Sequence, residues 1–238
     1  MGRAFEYRKA KKMARWGKMA ITFTRIGKEI VMAVKGGGPD PDTNTRLRIA
    51  IQNAKAANMP KDNVERAIKK AMGKDEKDFD ELLYEGFGPH GVAFLVETAT
   101  DNTNRTVANV RSHFNKCGGI LGNSGSVEFL FEHKALFTID ISGRDVEELE
   151  LELIDFGLEE IGTEEGETYV QVAFVDFGKI QQASDQLNIP IITAEKERIP
   201  MSYKEGLTEE QKADIEKLIE RLEEDEDVQA VFHNMGEE

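Results

Sequence analysis

The first third of the chain has apolar residues at helical spacing. They predict a helix over residues 19–35 that stops at the Gly-rich run 36–39, a second helix over about 45–58, and a third that opens at Pro60 and Asp62. Short connections between amphipathic helices are typical of a helical bundle. The apolar faces are Phe23, Ile26, Ile30 and Val34, then Leu47, Ala50, Ile51 and Ala54, then Val64, Ala67, Ile68 and Ala71.

From residue 92 onward, apolar residues alternate along short segments that helical segments separate. Val92, Phe94 and Val96 predict a strand, 101–119 a helix, and 127–131 another strand. The next stretch predicts β-α-β-β-α-β, the order of the ferredoxin-like motif. Its expected parts are strands at 137–141, 158–161, 170–174 and within 190–199, a hairpin loop at 162–166, and helices at 146–157 and 177–187.

The last part predicts elements that would complete the interrupted β-α-β. These are a short strand at 201–204, a helix capped by Thr208 with Gln211, and a final strand at 228–232. We therefore expect an α+β fold: an N-terminal three-helix domain followed by two ferredoxin-like α/β domains, the second inserted within the first. The expected boundaries are 1–74 for the helical domain, 80–132 plus 200–238 for the middle domain, and 133–199 for the inserted domain.

Positively and negatively charged residues are unevenly distributed along the chain, and this distribution bears on function. The 238 residues contain 31 Lys and Arg against 45 Asp and Glu, a net charge of −14. Residues 1–74 hold 18 Lys and Arg against 6 Asp and Glu, a net charge of +12, and residues 75–238 carry −26. Clustered cations are the electrostatic signature of nucleic-acid binding. The basic part therefore predicts a polyanion partner, and the acidic part would be repelled by the same backbone.

The candidate phosphate-binding residues are the cations of this basic part. Arg8, Lys11, Lys12 and Arg15 would share one face if residues 8–18 are helical. The full candidate set is Arg3, Arg8, Lys9, Lys11, Lys12, Arg15, Lys18, Arg25, Lys28, Arg46, Arg48 and Lys55.

Enzymatic and metal chemistry find little support in the sequence. Cys117 is the one cysteine and is expected to be a packed thiol, and the four histidines lack metal-ligand spacing. The G-x-G-x-x-G run at 86–91 contains Pro89 and precedes a strand, so it predicts a turn rather than a dinucleotide site. We expect no catalytic residues, no metal and no cofactor. No apolar run could span a bilayer and the first residues lack a signal-peptide core, so a cytoplasmic location is expected.

The glycine-rich run at 118–125 allows two interpretations. Glycine commonly follows a helix end, so the run could simply end the helix that precedes it. Its backbone amides could also bind an anion, or the loop could touch a partner. The sequence leaves both open.

Several stretches are highly specific in combination, although none is specific alone. They are Gly36-Gly37-Gly38-Pro39-Asp40-Pro41 with Arg46-Leu47-Arg48, Asn58-Met59-Pro60-Lys61-Asp62-Asn63, Tyr84-Glu85-Gly86-Phe87-Gly88-Pro89-His90-Gly91, Thr100-Asp101-Asn102-Thr103-Asn104-Arg105-Thr106, and Lys116-Cys117-Gly118-Gly119-Ile120-Leu121-Gly122 with Gly125-Ser126-Val127. On these the chain resembles the YebC/PmpR family, which includes the mitochondrial translational activator of cytochrome c oxidase subunit I. Many members begin with Gly-His-Ser-Lys-Trp, which residues 2–6 do not match.

The resemblance implies three domains, with the last inserted into the middle one, and no catalytic activity. It also implies one of two functions: a DNA-binding transcriptional regulator, or a translation factor that binds ribosomal RNA within the ribosome. A third hypothesis, a sensor or enzyme that binds a small molecule between α/β domains, lacks a convergent polar set in the sequence. The oligomeric state, the target gene or message and the choice between DNA and RNA stay open, because one fold can host several functions.

Overall fold

The computed structural model describes residues 19–73 and 78–236. Three helices come first, and two four-stranded antiparallel sheets with two helices each follow. The elements in chain order are α1 Met19–Gly37, α2 Thr45–Ala56, α3 Lys61–Ala71, β1 Asp80–Phe87, β2 Ala93–Thr100, α4 Thr103–Lys116, β3 Ile120–Leu121, β4 Phe131–Ile139, α5 Val146–Ile154, β5 Leu158–Glu164, β6 Glu167–Ala173, α6 Phe177–Leu187, β7 Ile191–Pro200, α7 Glu209–Glu223 and β8 Val228–His233.

The three N-terminal helices form the predicted bundle around Ile30, Leu47 and Ala54. Asn44 fixes the turn between α1 and α2. Its side-chain oxygen accepts from Leu47 N, which caps α2, and its amide nitrogen donates to the carbonyls of Ala33 and Gly38. Gly37 lies against Asn44, and a Cβ at Gly37 would come within 2.8 Å of the amide group. The glycine-rich run therefore leaves room for the buried cap as well as ending the helix.

Sheet 1 has the strand order β3-β1-β2-β8, and α4 and α7 cover one of its faces. The core of this layer is built on Phe94, Phe114 and Leu218, all fully buried. The predicted capping box of α7 is confirmed, because Thr208 and Gln211 exchange side-chain and backbone hydrogen bonds.

Sheet 2 has the strand order β5-β6-β4-β7, and its elements run β-α-β-β-α-β as predicted. α5 and α6 pack on the face that carries Phe137, Val170 and Val172. All strands of sheet 2 lie between β3 and β8 of sheet 1 in the sequence. The expected α+β class, with a helical N-terminal part and two α/β layers, is thus confirmed.

The element order around sheet 1 differs from the expectation. A strand over residues 80–87 was not predicted, and sheet 1 therefore begins with the β1–β2 hairpin rather than with β-α-β. The segment Asp80–Phe87 is acidic and has adjacent leucines, so it lacks clear alternation. The run at 86–91 forms the turn between these strands, as predicted.

Four other predicted elements are also corrected. Residues 127–131 and 137–141 do not form separate strands, because a short turn at Glu128–Leu130 leads into the continuous strand β4. The hairpin loop at 162–166 is shorter than predicted, since β5 continues to Glu164. The predicted strand at 201–204 is reduced to one bridge between Lys204 and Met235.

The glycine-rich loop after α4 does bind an anion, which is a side chain of the protein itself. The carboxylate of Glu85 in β1 accepts hydrogen bonds from the backbone amides of Gly125, Val127 and Glu128 at 2.5, 2.8 and 2.8 Å. Glu85 is 2% exposed. Burial by itself would raise the pKa of Glu85, but these amide donors outweigh it and hold the pKa below its ordinary value.

We predict that Glu85→Gln destabilises the protein by about 2–4 kcal/mol at pH 7, because charge-assisted hydrogen bonds are lost and an amide donor faces backbone donors. A carboxyl with a lowered folded pKa contributes stability above its unfolded pKa, about 4.3, and loses that contribution as the pH falls through the folded pKa. The difference between parent and variant should therefore shrink as the pH is lowered from 7 to 3 in urea unfolding experiments.

Glu205→Gln, which neutralises an exposed loop glutamate, is the matched control and should change stability little at any pH. A stability loss in Glu85→Gln that stays constant across the pH range would contradict the role assigned to the Glu85 carboxylate.

Candidate nucleic-acid interface

The predicted phosphate-binding residues divide into two groups. Arg3, Arg8, Lys9, Lys11, Lys12, Arg15 and Lys18 lie outside the described residues. Arg25 and Lys28 lie on α1, and Arg46, Arg48 and Lys55 lie on α2. The structure places these five on different sides of the helical bundle, and each has its own surroundings.

Arg25 and Lys28 join α1 to the segment between α7 and β8. Arg25 donates from Nε to Val228 O at 3.0 Å and from Nη2 to Glu223 O at 2.9 Å. Lys28 Nζ donates to the carbonyls of Ala99 and Glu226 at 2.9 and 2.6 Å. Burial lowers the pKa of Arg25, while Glu223 counteracts it. Both cations are thus bound to acceptors within the chain.

Asp227 is the acceptor on which this junction converges. Its buried carboxylate accepts from Lys28 Nζ at 3.1 Å, from Arg105 Nη2 at 2.8 Å and from Thr106 Oγ1 at 2.8 Å. Burial would raise the pKa of Asp227, but the bonds from Arg105, Thr106 and Lys28 hold it below the ordinary value. The stretch from Thr100 to Thr106, one of those that carry the family resemblance, therefore supplies partners for Asp227 and the N-cap of α4 at Asn102.

The two arginines at the start of α2 also bind carboxylates. Arg46 bonds Glu81 in β1 at 2.9 Å and Glu29 in α1 at 3.1 Å, and these acids raise its pKa against the opposing effect of burial. Arg48 bonds Asp185 in α6 at 3.2 Å. Both side chains remain about a third or more exposed, at 43% and 34%, so solvent still reaches them.

The exposed cations of the bundle lie chiefly on α3, which the predicted set omits. Lys55 on α2, a member of the predicted set, is exposed, and Lys61, Arg66, Lys69 and Lys70 are exposed on α3. Arg66 and Lys70 are separated by one helical turn, as are Lys61 and Glu65, which pair at 3.5 Å. The helical spacing of these cations was a signal available in the sequence.

The helical bundle also covers an edge of sheet 2. Asn53 of α2 donates to Ala194 O at 2.8 Å and accepts from Ala194 N at 3.0 Å, so its amide pairs with β7 as another strand would. Ile49 packs into the apolar core of the sheet 2 layer. This arrangement protects the edge strand from pairing with another chain.

Three other observations bear on the chemistry available to the described residues. Between α2 and α6 lies an open groove of about 390 Å³ with a polar lining, which includes Arg48, Gln181 and Gln182. Among residues 19–73 and 78–236, no three His, Cys, Asp or Glu side chains are grouped as metal ligands would be. Within the same ranges no helix is long and apolar enough to cross a membrane.

Comparison with known protein families gives two matches that together span nearly the whole chain. Residues 3–74 match the model described as the TACO1/YebC protein N-terminal domain. Residues 79–235 match the model described as the TACO1/YebC second and third domain. The boundary between the two matches falls where the net charge changes sign.

Two of the similar proteins are named as probable regulators, and a solved structure also resembles this chain. A probable transcriptional regulatory protein of Flavobacterium johnsoniae is 60% identical over 238 residues and covers the full length of both chains. One of Myxococcus xanthus is 52% identical over 241 residues, covering 99% of this chain and all of the other. The crystal structure of a conserved hypothetical protein from Aquifex aeolicus has a TM-score of 0.76 and 38% identity, with 92% of this chain and 91% of the other covered.

We predict that Asp227→Asn lowers the free energy of unfolding by about 3 kcal/mol, because it removes the charge that faces Lys28 and Arg105 in a buried junction. Hydrogen exchange should rise most at the amides of α1, since Lys28 connects α1 to this carboxylate. Urea unfolding and exchange mass spectrometry measure the two effects.

Asp214→Asn serves as the control, because Asp214 pairs with Lys217 on the exposed side of α7 and its loss should matter much less. Equal destabilisation by the two substitutions, or exchange that rises in sheet 2 instead of α1, would contradict the role of Asp227.

Proposed function

The chain belongs to the TACO1/YebC family, and from this premise we propose that it is a non-enzymatic regulator of gene expression that binds nucleic acid through residues 1–74. The first candidate is a DNA-binding transcriptional regulator, in keeping with the names of its relatives. The proposed location is the cytoplasm, and no cofactor is required.

The observation that carries this proposal is the division of charge. A net charge of +12 on residues 1–74 adjoins a net charge of −26 on residues 75–238. Cations that neutralise phosphates release condensed counterions, which favours binding irrespective of base sequence. The acidic part is repelled by the same phosphates, so a polyanion would approach from the basic side.

The partners of the basic side chains suggest which of them contact phosphate. Arg25 and Lys28 are engaged at the Asp227 junction, whereas Lys55, Arg66 and Lys69 are exposed on the bundle. We propose that these exposed cations act together with the seven cations of residues 1–18. The remaining predicted cations, Arg46 and Arg48, would contact phosphate only in exchange for the carboxylates that they bind.

A second candidate function, binding to ribosomal RNA as a translation factor, is favoured by the helix N-termini of the bundle. A recognition helix reads base edges with residues near its N-terminus. The N-terminal turn of α2 directs Arg46 and Arg48 to carboxylates, and that of α3 carries the acidic Asp62. These contacts favour recognition of a phosphate backbone or of RNA shape over sequence readout in a major groove.

We predict that replacing Arg8, Lys11, Lys12 and Arg15 together with Gln weakens binding to duplex DNA and flattens its salt dependence. Each lost phosphate contact lowers the slope of log K against log salt by about 0.9, so the four substitutions should reduce it by about 3 to 4. Fluorescence anisotropy with a fixed 30-base-pair duplex at several salt concentrations measures the slope.

The matched control replaces four cations of the acidic part, Lys179, Lys204, Lys217 and Arg221, with Gln. It makes the same change in net charge, and we expect the salt slope to stay as in the parent. If the control reduces the slope as much as the test variant does, general charge rather than the basic segment governs binding.

A pair of experiments on the unmodified protein distinguishes the two candidate functions. A transcriptional regulator should protect a discrete site in footprinting on genomic DNA fragments at moderate salt. A ribosome-bound factor should sediment with ribosomes in a sucrose gradient and leave the same fragments unprotected. Absence of both protection and co-sedimentation would overturn the proposed function.

A further inference from the structure

The groove between α2 and α6, which we call the α2–α6 groove, is large enough to hold a ligand. It consists of two adjoining openings of about 390 and 310 Å³, which share Arg48, Gln181 and Asp185 among their lining residues. Pockets that bind small molecules commonly have volumes of about 300–1,000 Å³, so there is room for a ligand the size of one nucleotide. Five lining residues carry side-chain amides, and these are Gln52, Gln181, Gln182, Gln186 and Asn188.

Both helices present polar residues to the groove at helical spacing. On α2, Thr45, Arg48 and Gln52 follow one another at intervals of three and four residues, which places them on one face. On α6, Gln181 and Asp185 are likewise one turn apart. Helices that pack against each other usually do so through apolar stripes. Two polar stripes that face an open groove suit a polar ligand instead.

The amides on the two walls can reach such a ligand. Among the described residues, Gln52 Oε1 is buried and has no hydrogen-bond donor. A buried acceptor without a donor is costly, so a ligand that donates to Gln52 would remove this cost. On the opposite wall, Gln181 is half-buried and Gln182 is exposed.

Arg48 adds a cation that can bind a phosphate. Its Nη2 donates across the groove to Asp185 Oδ2 at 3.2 Å, and both side chains are partly exposed. Ion pairs of this exposure contribute little to stability, so Arg48 can exchange the carboxylate for a phosphate at small cost. Arginine is well suited to phosphate because its N–H groups can donate in pairs. Lys55, which is exposed two turns further along the same face of α2, extends the positive charge beyond the groove.

Amides beside a cation match the chemistry of an unpaired nucleotide. A side-chain amide carries a donor and an acceptor side by side, and Asn and Gln use both to bind the edge of a base. In single-stranded nucleic acid these edges are accessible, whereas a duplex would have to flip a base out of its stack. We propose that the α2–α6 groove binds one unpaired nucleotide of a single-stranded nucleic acid, with the base at Gln52 and Gln181 and the phosphate at Arg48.

This inference rests on the proposed function and narrows its ligand. The exposed cations of the bundle attract any polyanion, because phosphate contacts carry no sequence information. The groove would add a preference for unpaired strands over duplexes. Such a preference agrees with the second candidate function, since sequence-specific recognition of RNA mostly involves unpaired loops, bulges and ends.

A charge-neutral double substitution tests the base contacts. Gln52→Ala with Gln181→Ala removes one amide from each wall and leaves the attraction to phosphate unchanged. We expect it to weaken binding of at least one 12-nucleotide RNA among oligo(A), oligo(C) and oligo(U) about tenfold or more, and to leave binding of the 30-base-pair duplex within about twofold of the parent. Fluorescence anisotropy at one salt concentration measures both affinities.

Asn109→Ala with Asn115→Ala is the matched control, because it removes two exposed amides from α4 on the sheet 1 layer. It should bind the RNA and the duplex as the parent does. Equal losses for RNA and duplex in the groove variant, or no loss for any of the RNAs, would overturn the inference. Thermal unfolding of all three proteins shows whether the fold is retained.

A single substitution tests the phosphate contact. Asp185→Asn releases Arg48 from its carboxylate, so we expect the RNA to bind about two- to fivefold more tightly. Glu147→Gln makes the same change in net charge on the exposed surface of α5 and is the control. An equal gain in both variants would show that net charge, and not release of Arg48, governs the effect, and it would overturn the assignment of the phosphate to Arg48.

Titration of the parent protein with AMP, UMP and the same RNAs, followed in 15N TROSY spectra, separates this inference from the proposed function. We expect the RNA to shift signals of α2 and α6 around the groove, and the mononucleotides to shift the same signals more weakly. RNA that binds but leaves these signals unchanged would overturn the inference while the proposed function stands. Mononucleotides that bind the groove while neither RNA nor duplex binds would identify a free nucleotide as the ligand and overturn the proposed function.

Discussion

The buried carboxylate of Asp227 is the constraint on which the arrangement of the molecule depends. It lies between α7 and β8 and accepts hydrogen bonds from the helical bundle through Lys28 and from α4 through Arg105 and Thr106. A buried charge is stable only when it is fully partnered, so these groups must stay together as long as Asp227 is ionised. The bundle is thereby held against sheet 1, while Asn53 connects it to β7 of sheet 2 and Arg48 connects it to α6.

This constraint separates two uses of positive charge. Arg25 and Lys28 stabilise the junction between the bundle and sheet 1, and their charge is matched by acceptors of the protein. In our proposal, the exposed Arg66 and Lys69 of α3 and the cations of residues 1–18 supply the attraction to phosphate. A charge count along the sequence combines both groups, although only the second is available to a partner in our proposal.

Local signals made much of the fold predictable. The helical spacing of residues 19–71 and the capping box at Thr208 depend on neighbouring residues, and both predictions are confirmed. The sequence does not predict strand β1, because its position is set by contacts with residues far away in the chain. For example, Gly86 in β1 packs so close to β3 that a Cβ at Gly86 would lie 2.6 Å from the carbonyl oxygen of Ile120. Two other contacts are equally non-local. Glu85 binds the backbone amide of Gly125, 40 positions away, and Asp227 binds Lys28, 199 positions away. The cations of α3 were visible in the sequence, but their exposure was not.

The central claim is that the basic N-terminal part, and not the acidic remainder, contacts nucleic acid. Ultraviolet crosslinking in living cells, followed by sequencing of the bound DNA and RNA and mass spectrometry of the crosslinked peptides, tests it most directly. The account predicts that nucleotide-modified peptides come from residues 1–74, chiefly from 1–18 and α3. Modified peptides that come mainly from residues 80–238, or no crosslinked DNA or RNA above background, would contradict it.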